Sequence, residues 1–207
     1  MKYIIMCGGD TLDGLPKQMA EVNGEALVER TIRLLRQEGI TDIAISTRND
    51  DFERFGVPLL KHDNTYFNKH GKNYWVDGFY PSEDPVCYVF GDVYFSDEAI
   101  KTMVETQTDD VMFFASAPPF SVKYPKPWAE PFGFKVVNQE HFKEAIKEVK
   151  QLCDSASFIR HPVAWELWQV LKGTRINFID YSNYTVINDY TCDIDKPEQI
   201  RQWRYRL

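Results

Sequence analysis

The run Tyr3-Ile4-Ile5-Met6-Cys7 is apolar throughout, carries no charge and has a β-branched pair at its centre. A strand exposed on one face alternates polar and apolar residues. One that does not alternate is buried on both faces, which places it in a parallel sheet covered by helices. Gly8 and Gly9 then end the run abruptly. Glycine reaches φ > 0 and leaves amide groups bare, so a loop of this kind cradles phosphate oxygens without using side chains. Lys17, on the far side of the loop, adds a movable positive charge. Met6, Cys7, Gly8, Gly9, Asp10, Thr11 and Lys17 are accordingly the candidate lining of a phosphate site across the carboxyl end of the first strand. An ordinary turn followed by a surface lysine would use the same residues, and the loop has neither P-loop spacing nor the Gly-x-Gly-x-x-Gly dinucleotide fingerprint.

Beyond this loop, strand-like and helix-like patterns alternate. Val28 to Glu38 has a helical apolar stripe, and Gly39 supplies its stop. Apolar runs at 42–46, 57–60, 86–90 and 111–115 read as strands, with a short helix in the polar stretch 47–55. A helix capped by Ser96 or Asp97 runs to Thr106, a strand covers 130–138, an amphipathic helix covers 139–153, and another helix begins at His161. The stretch from Lys61 to Asp84 is polar and aromatic and is expected on the ligand side, while the four prolines between Ala117 and Glu130 mark a loop. This alternation predicts an α/β fold: a three-layer α/β/α sandwich with a mainly parallel, mixed sheet, in one domain spanning 1–207. Ligands of such sheets bind at the carboxyl ends of the strands.

Asp92 follows Gly91 at one of those ends. A carboxylate there, beside the first loop, can join a divalent cation to a polyphosphate, since magnesium takes one or two carboxylates plus phosphate oxygens and water. A plain turn aspartate would occupy the same position. A second acidic pair lies near the C-terminus: in an extended Asp193-Ile194-Asp195 both carboxylates share one side and Ile194 packs on the other, with Pro197 placed to open a last helix. Asp195 as a simple helix cap is the competing reading. Asp92, Asp193 and Asp195 are thus the candidate metal ligands, for Mg2+ or Mn2+.

Gly8-Gly9 with Pro16-Lys17, the turn Glu21-Val22-Asn23-Gly24-Glu25-Ala26-Leu27, Gly91-Asp92, and Asp193-Ile194-Asp195-Lys196-Pro197-Glu198 follow one another in an order that resembles the nucleotidyltransferases of GT-A-like fold. These are the enzymes related to molybdenum-cofactor guanylyltransferases and to sugar-phosphate cytidylyl- and uridylyltransferases. The resemblance implies transfer of a nucleoside monophosphate, CMP or UMP favoured, from CTP or UTP to a phosphorylated sugar, polyol or similar acceptor, with release of pyrophosphate. A role in nucleotide-sugar or capsular polysaccharide synthesis goes with it. It implies Lys17, Asp92 and Asp195 as catalytic residues, Asp193 as a further metal ligand, Gly91 and Lys72 beside the nucleotide, and Lys123, Lys126, Glu130 and Lys135 near the acceptor. A homodimer is one assembly it admits.

One departure from the resembled pattern stands out. Family members usually carry an arginine in the glycine loop, whereas Gly9-Asp10-Thr11-Leu12-Asp13 leads to Lys17 with no basic residue between. That removes a charge-assisted phosphate contact worth roughly 1.5 to 3 kcal/mol. Either Arg48, Lys61 or Lys72 substitutes from a neighbouring strand end, or triphosphate binding is altered. A GT-A glycosyltransferase using a nucleotide sugar, and a weakened relative that only binds nucleotide, are the alternatives.

Composition narrows the partners. A formal net charge of −7 argues against nucleic acid, whose backbone demands a basic face. The four cysteines are widely spaced without a Cys-x-x-Cys pair, so buried thiols in a cytoplasmic protein are expected rather than zinc or disulfides. No apolar run approaches the roughly 18 residues that span a bilayer. His62, His70, His141 and His161 are scattered and form no recognisable triad. Trp165 and Trp168 share a helical face, which indicates packing.

Overall fold

Strands apolar throughout need cover on both faces, and they have it: all five residues of Val86–Phe90 and all four of Ile43–Ser46 are buried. The computed structural model describes residues 1–8, 11–12, 14–61, 75–118, 128–155, 162–196 and 198–200. Among these, one mixed sheet contains β1 (Lys2–Met6), β2 (Ile43–Ser46), β3 (Leu59–Leu60), β4 (Val86–Phe90), β5 (Val111–Ser116), β6 (Pro131–Val136) and β7 (Thr185–Ile187), in the spatial order β7-β5-β6-β4-β1-β2-β3. β1 runs parallel to β2 and β4, β2 to β3, and β5 to β7. Only β6, among the described strands of this sheet, is antiparallel to its neighbours, pairing Gly133 with Val89 and Phe113 with Phe134. The carboxyl ends of β1, β2, β4 and β5 therefore share one edge, and β6 starts from it.

The helices are α1 (Leu27–Gln37), α2 (Asp97–Glu105), α3 (Gln139–Asp154) and α4 (Ala164–Leu171). α1 buries Leu27, Val28, Thr31, Ile32, Leu34 and Leu35 and is stopped by Gly39 at φ +79°, where the amides of Gly39 and Ile40 return to the carbonyls of Arg36 and Leu35. Ser96 caps α2, its Oγ accepting from the Ala99 amide at 2.9 Å. α1 packs on α2 and α3 on α4. Between the sheet and the second pair lies an aromatic core in which Phe113 stacks on Phe134 with ring centres 4.6 Å apart and meets Trp165 edge-on at 4.9 Å. Trp165 and Trp168 are both buried packing residues, as their spacing implies.

Two departures from the sequence reading concern short pieces. The helix expected from His161 begins at Ala164, whereas the short helix expected in the polar stretch after β2 is present at Asp50–Phe55. β7 and a two-residue ribbon joining Val93–Tyr94 to Cys192–Asp193 have no periodic signature and were not foreseen. Cys7, Cys87 and Cys192 are buried thiols. No helix among the described residues is long and apolar enough to cross a membrane.

Candidate active site

The site is built where β1 and β4 end side by side. The Cys7 amide donates to Ser46 of β2 at 2.8 Å, and the Gly91 amide donates to Met6 of β1 at 3.1 Å. Gly91 sits so close to β1 that a Cβ there would lie 2.7 Å from the Met6 carbonyl oxygen, 2.8 Å from Cys7 Sγ and 2.9 Å from Gln18 Cγ. Only glycine fits, and its fit delivers Asp92 next to the first loop.

Lys17 arrives on a short helical turn, Lys17–Met19, introduced by Pro16. The next residue of that turn, Gln18, is 2% exposed and donates from Nε2 to the Gly8 carbonyl at 2.9 Å, so the lysine-bearing segment is locked to the glycine loop. A hairpin, Glu21–Val22 with Glu25–Ala26, leads on to α1; Asn23 and Gly24 at its tip have φ of 55° and 83°, the type I′ turn that Asn-Gly favours.

The C-terminal acids reach the same edge through the ribbon, whose register pairs Asp193 with Val93 and Cys192 with Tyr94. The Ile194 amide donates to the Asp92 carbonyl at 2.8 Å, and the fully buried Ile194 side chain joins Val22, Leu27, Tyr94 and Cys192 in a small apolar cluster. Burial of Ile194 turns its neighbours the other way. Gln199 Oε1 accepts from the Asp195 and Lys196 amides, each at 2.7 Å, and its Nε2 donates to the Asp193 carbonyl at 3.2 Å.

Three residues distant in sequence thus meet. Lys17 Nζ lies 2.5 Å from Asp195 Oδ1 and 4.0 Å from Asp92 Oδ2. Burial pushes the Asp92 carboxyl above the usual carboxylate range; Lys17 pulls it down, and the like charge of Asp195 pushes it further up. The Cys7 thiol, buried and facing the charge of Asp92, is pushed well up and stays protonated, which removes it as a nucleophile.

Of the other residues expected here, Met6, Cys7, Gly8 and Gly91 stand at this edge. The backbone of Thr11 lies in a hairpin strand opposite Pro16. Gly9, Asp10, Lys72, Lys123 and Lys126 fall outside the described residues. Lys135 is not brought to the site: it is buried, and its Nζ donates to the carbonyls of Val104 at 2.9 Å and Thr106 at 2.6 Å, where a cation complements the end of α2. Glu130 is near the site but buried, with Oε2 accepting from the Asp193 amide at 3.1 Å. Of the stand-ins for a loop arginine, Lys61 is paired with Asp50, and Arg48 is an exposed residue that follows β2 on the same edge as Gly8.

Sequence reasoning overlooked Gln18 and Gln199. Gln199 had no capping-box signal, since the residue three before it is Lys196, and its contact to the Lys196 amide is set by the fold. Gln18 had no signal either, because its partner Gly8 is fixed only by the folded loop.

Among the described residues, no three His, Cys, Asp or Glu side chains gather as a ready-made metal cage. Two carboxylates facing one ammonium are instead the donor set that magnesium accepts when phosphate oxygens and water complete its shell.

No family model and no curated protein sequence matches the chain. Solved structures do. The chain is similar to 4-diphosphocytidyl-2C-methyl-D-erythritol synthase from Anaerococcus prevotii, with TM-score 0.59 and 15% identity over 99% of this chain and 94% of that one. It is similar to the inositol-1-phosphate CTP transferase from T. maritima, with TM-score 0.55 and 14% identity over 99% and 95%. CTP:phosphocholine cytidylyltransferase from Streptococcus pneumoniae gives TM-score 0.51 and 15% identity over 99% and 98%. The chain therefore has the mixed-sheet α/β fold of the nucleotidyltransferases.

Proposed function

We propose that the protein is a nucleotidyltransferase that moves a nucleoside monophosphate, from CTP or UTP by preference, onto a phosphorylated small-molecule acceptor and releases pyrophosphate. The observation that carries this reading is the convergence of Asp92 and Asp195 on the Lys17 ammonium, beside the Gly8 turn. An acidic chain that binds polyphosphate must bring positive charge to the phosphates locally; here Lys17, with a divalent cation that Asp92 and Asp195 would hold, would supply it. Two of the structures it resembles in fold use CTP by name, which supports the pyrimidine preference, while a third is complexed with GMP-PN.

In the reaction an acceptor phosphate oxygen attacks the α-phosphorus in line, a new P–O bond forms and the bond to the β-phosphate oxygen breaks. No covalent enzyme intermediate is needed, so the protein's part is alignment and charge neutralisation. Gly8 is exposed and Gln18 occupies its carbonyl, so its amide would be the group offered to the phosphates. Lys17 exchanges its bond to Asp195 for the leaving pyrophosphate, releasing that carboxylate. Asp92 and Asp195, with Asp193 as a further ligand, would hold Mg2+ or Mn2+, which neutralises charge on the departing oxygens. Arg48 stands at the edge in place of the missing loop arginine.

Incubation with magnesium, each of the four nucleoside triphosphates and a panel of phosphorylated acceptors, followed by pyrophosphate release, tests the proposal. Turnover with a pyrimidine triphosphate is the expected result. Consumption of a nucleotide sugar instead would make the protein a glycosyltransferase. A nucleotide-binding relative without turnover is favoured by one observation, the lack of a basic residue between Gly9 and Lys17, and would show saturable binding with no pyrophosphate.

A further inference from the structure

We infer that Glu130 is a positioning residue, a buried carboxylate that holds the Asp193–Asp195 strand in register at the carboxyl edge of the sheet and does not touch the acceptor. The inference rests on the reading of that edge as the catalytic one.

Glu130 sits on a rigid platform. Its amide donates to Ser116 Oγ at 2.8 Å, and its carbonyl accepts from the Ser116 amide at 2.7 Å, which anchors it to the end of β5. The preceding carbonyl, of Ala129, is held by Trp165 Nε1 at 2.7 Å. Pro131 follows, which biases Glu130 to an extended backbone and starts β6 without an amide to satisfy. From this fixed base the side chain reaches across to the Asp193 amide at 3.1 Å.

At 1% exposure Glu130 has no surface to offer a substrate. A carboxylate taken out of water is costly unless hydrogen bonds receive it, so its burial needs a structural return. The return lies in the chain it grips. The acid-bearing strand is paired with Val93–Tyr94 over two residues and bonded to Asp92 through Ile194. Glu130 adds a tie from the opposite flank, one residue from Ile194 and two from Asp195. With Asp92 on one side and Glu130 on the other, the strand has one register, and Asp195 one approach to Lys17.

The test compares Glu130→Met, similar in volume but lacking an acceptor, with Glu130→Gln, which keeps an acceptor oxygen. Backbone amide exchange by mass spectrometry, melting temperature and pyrophosphate release are measured on the full chain. In Glu130→Met, exchange across residues 192–195 accelerates by about tenfold, the scale of one lost charge-assisted hydrogen bond, while β4 exchanges as in the wild type. Its kcat falls by about tenfold or more while the acceptor KM changes by less than about threefold, a split that marks misplacement of catalytic groups rather than lost binding. Glu130→Gln recovers most of both. Unchanged exchange at 192–195, equal acceleration in β4, or a raised acceptor KM at unchanged kcat would each overturn the inference. If the wild type releases no pyrophosphate, the catalytic reading fails by itself, and the exchange comparison still decides whether Glu130 holds the strand.

Discussion

Asp92 shows how much depends on placement at the scale of one residue. Its carboxyl lies in a crevice that disfavours charge, and Lys17 is the neighbour that offsets part of that effect. A carboxyl held above 3.8 keeps a proton in the folded state that the unfolded chain has released, so this residue's contribution to stability falls as pH rises through that window. The proposed catalysis needs the opposite, deprotonated form, so turnover should fall as pH drops through the raised value, above the ordinary carboxylate range. In Lys17→Met the carboxyl should titrate at still higher pH, followed by 13C NMR of the labelled side chain; a downward move would contradict the role given to Lys17. Asp92→Asn should lower pyrophosphate release by about 10²-fold or more, as removal of a charge-placing group typically does, with an unchanged circular dichroism spectrum. Wild-type turnover in that variant would remove Asp92 from the mechanism. Gly91→Ala meets backbone and side-chain atoms at 2.7 to 2.9 Å and should destabilise the fold by about 1–3 kcal/mol in a denaturant titration.

At the scale of elements, the helices and long strands were legible because periodicity repeats within them. α1, α2 and α3 each carry several turns of apolar stripe, and β1 and β4 are apolar without interruption. β7 and the Cys192–Asp193 strand, three and two residues long, are too short to repeat anything; they exist because neighbours pair with them. The same limit explains Lys135. The sequence places it soon after a loop expected at the ligand side, but β6 runs antiparallel and carries it four residues, about 13 Å, away from that edge. Gly91 and Asp92 could be singled out, since a glycine and a carboxylate after an apolar run have few uses. Gln18 and Glu130 act through contacts across the fold that no local pattern encodes. The α2 cap offers a test at this scale: Ser96 also donates to Asp189 and its amide bonds Thr191 Oγ1 at 3.0 Å, so Ser96→Ala should lower stability by about 1–2 kcal/mol in chemical denaturation. No measurable change would mean the cap and the contact to the C-terminal segment contribute little.

The whole molecule is an acidic protein with a formal charge of −7 that sets Lys17 between two carboxylates at one sheet edge. The fold makes that possible: parallel β1 and β4 bring the glycine turn and Asp92 together, and the chain returns through the ribbon to set Asp195 opposite Lys17. In the proposed mechanism these two carboxylates share one cation alongside the triphosphate. Anomalous scattering from a crystal grown with Mn2+ and a non-hydrolysable CTP analogue tests it most directly. A single manganese peak within about 2.0–2.3 Å of oxygens from both Asp92 and Asp195, and of the analogue's phosphates, is the predicted result. A nucleotide bound at the Gly8 turn with no manganese at those carboxylates would contradict it.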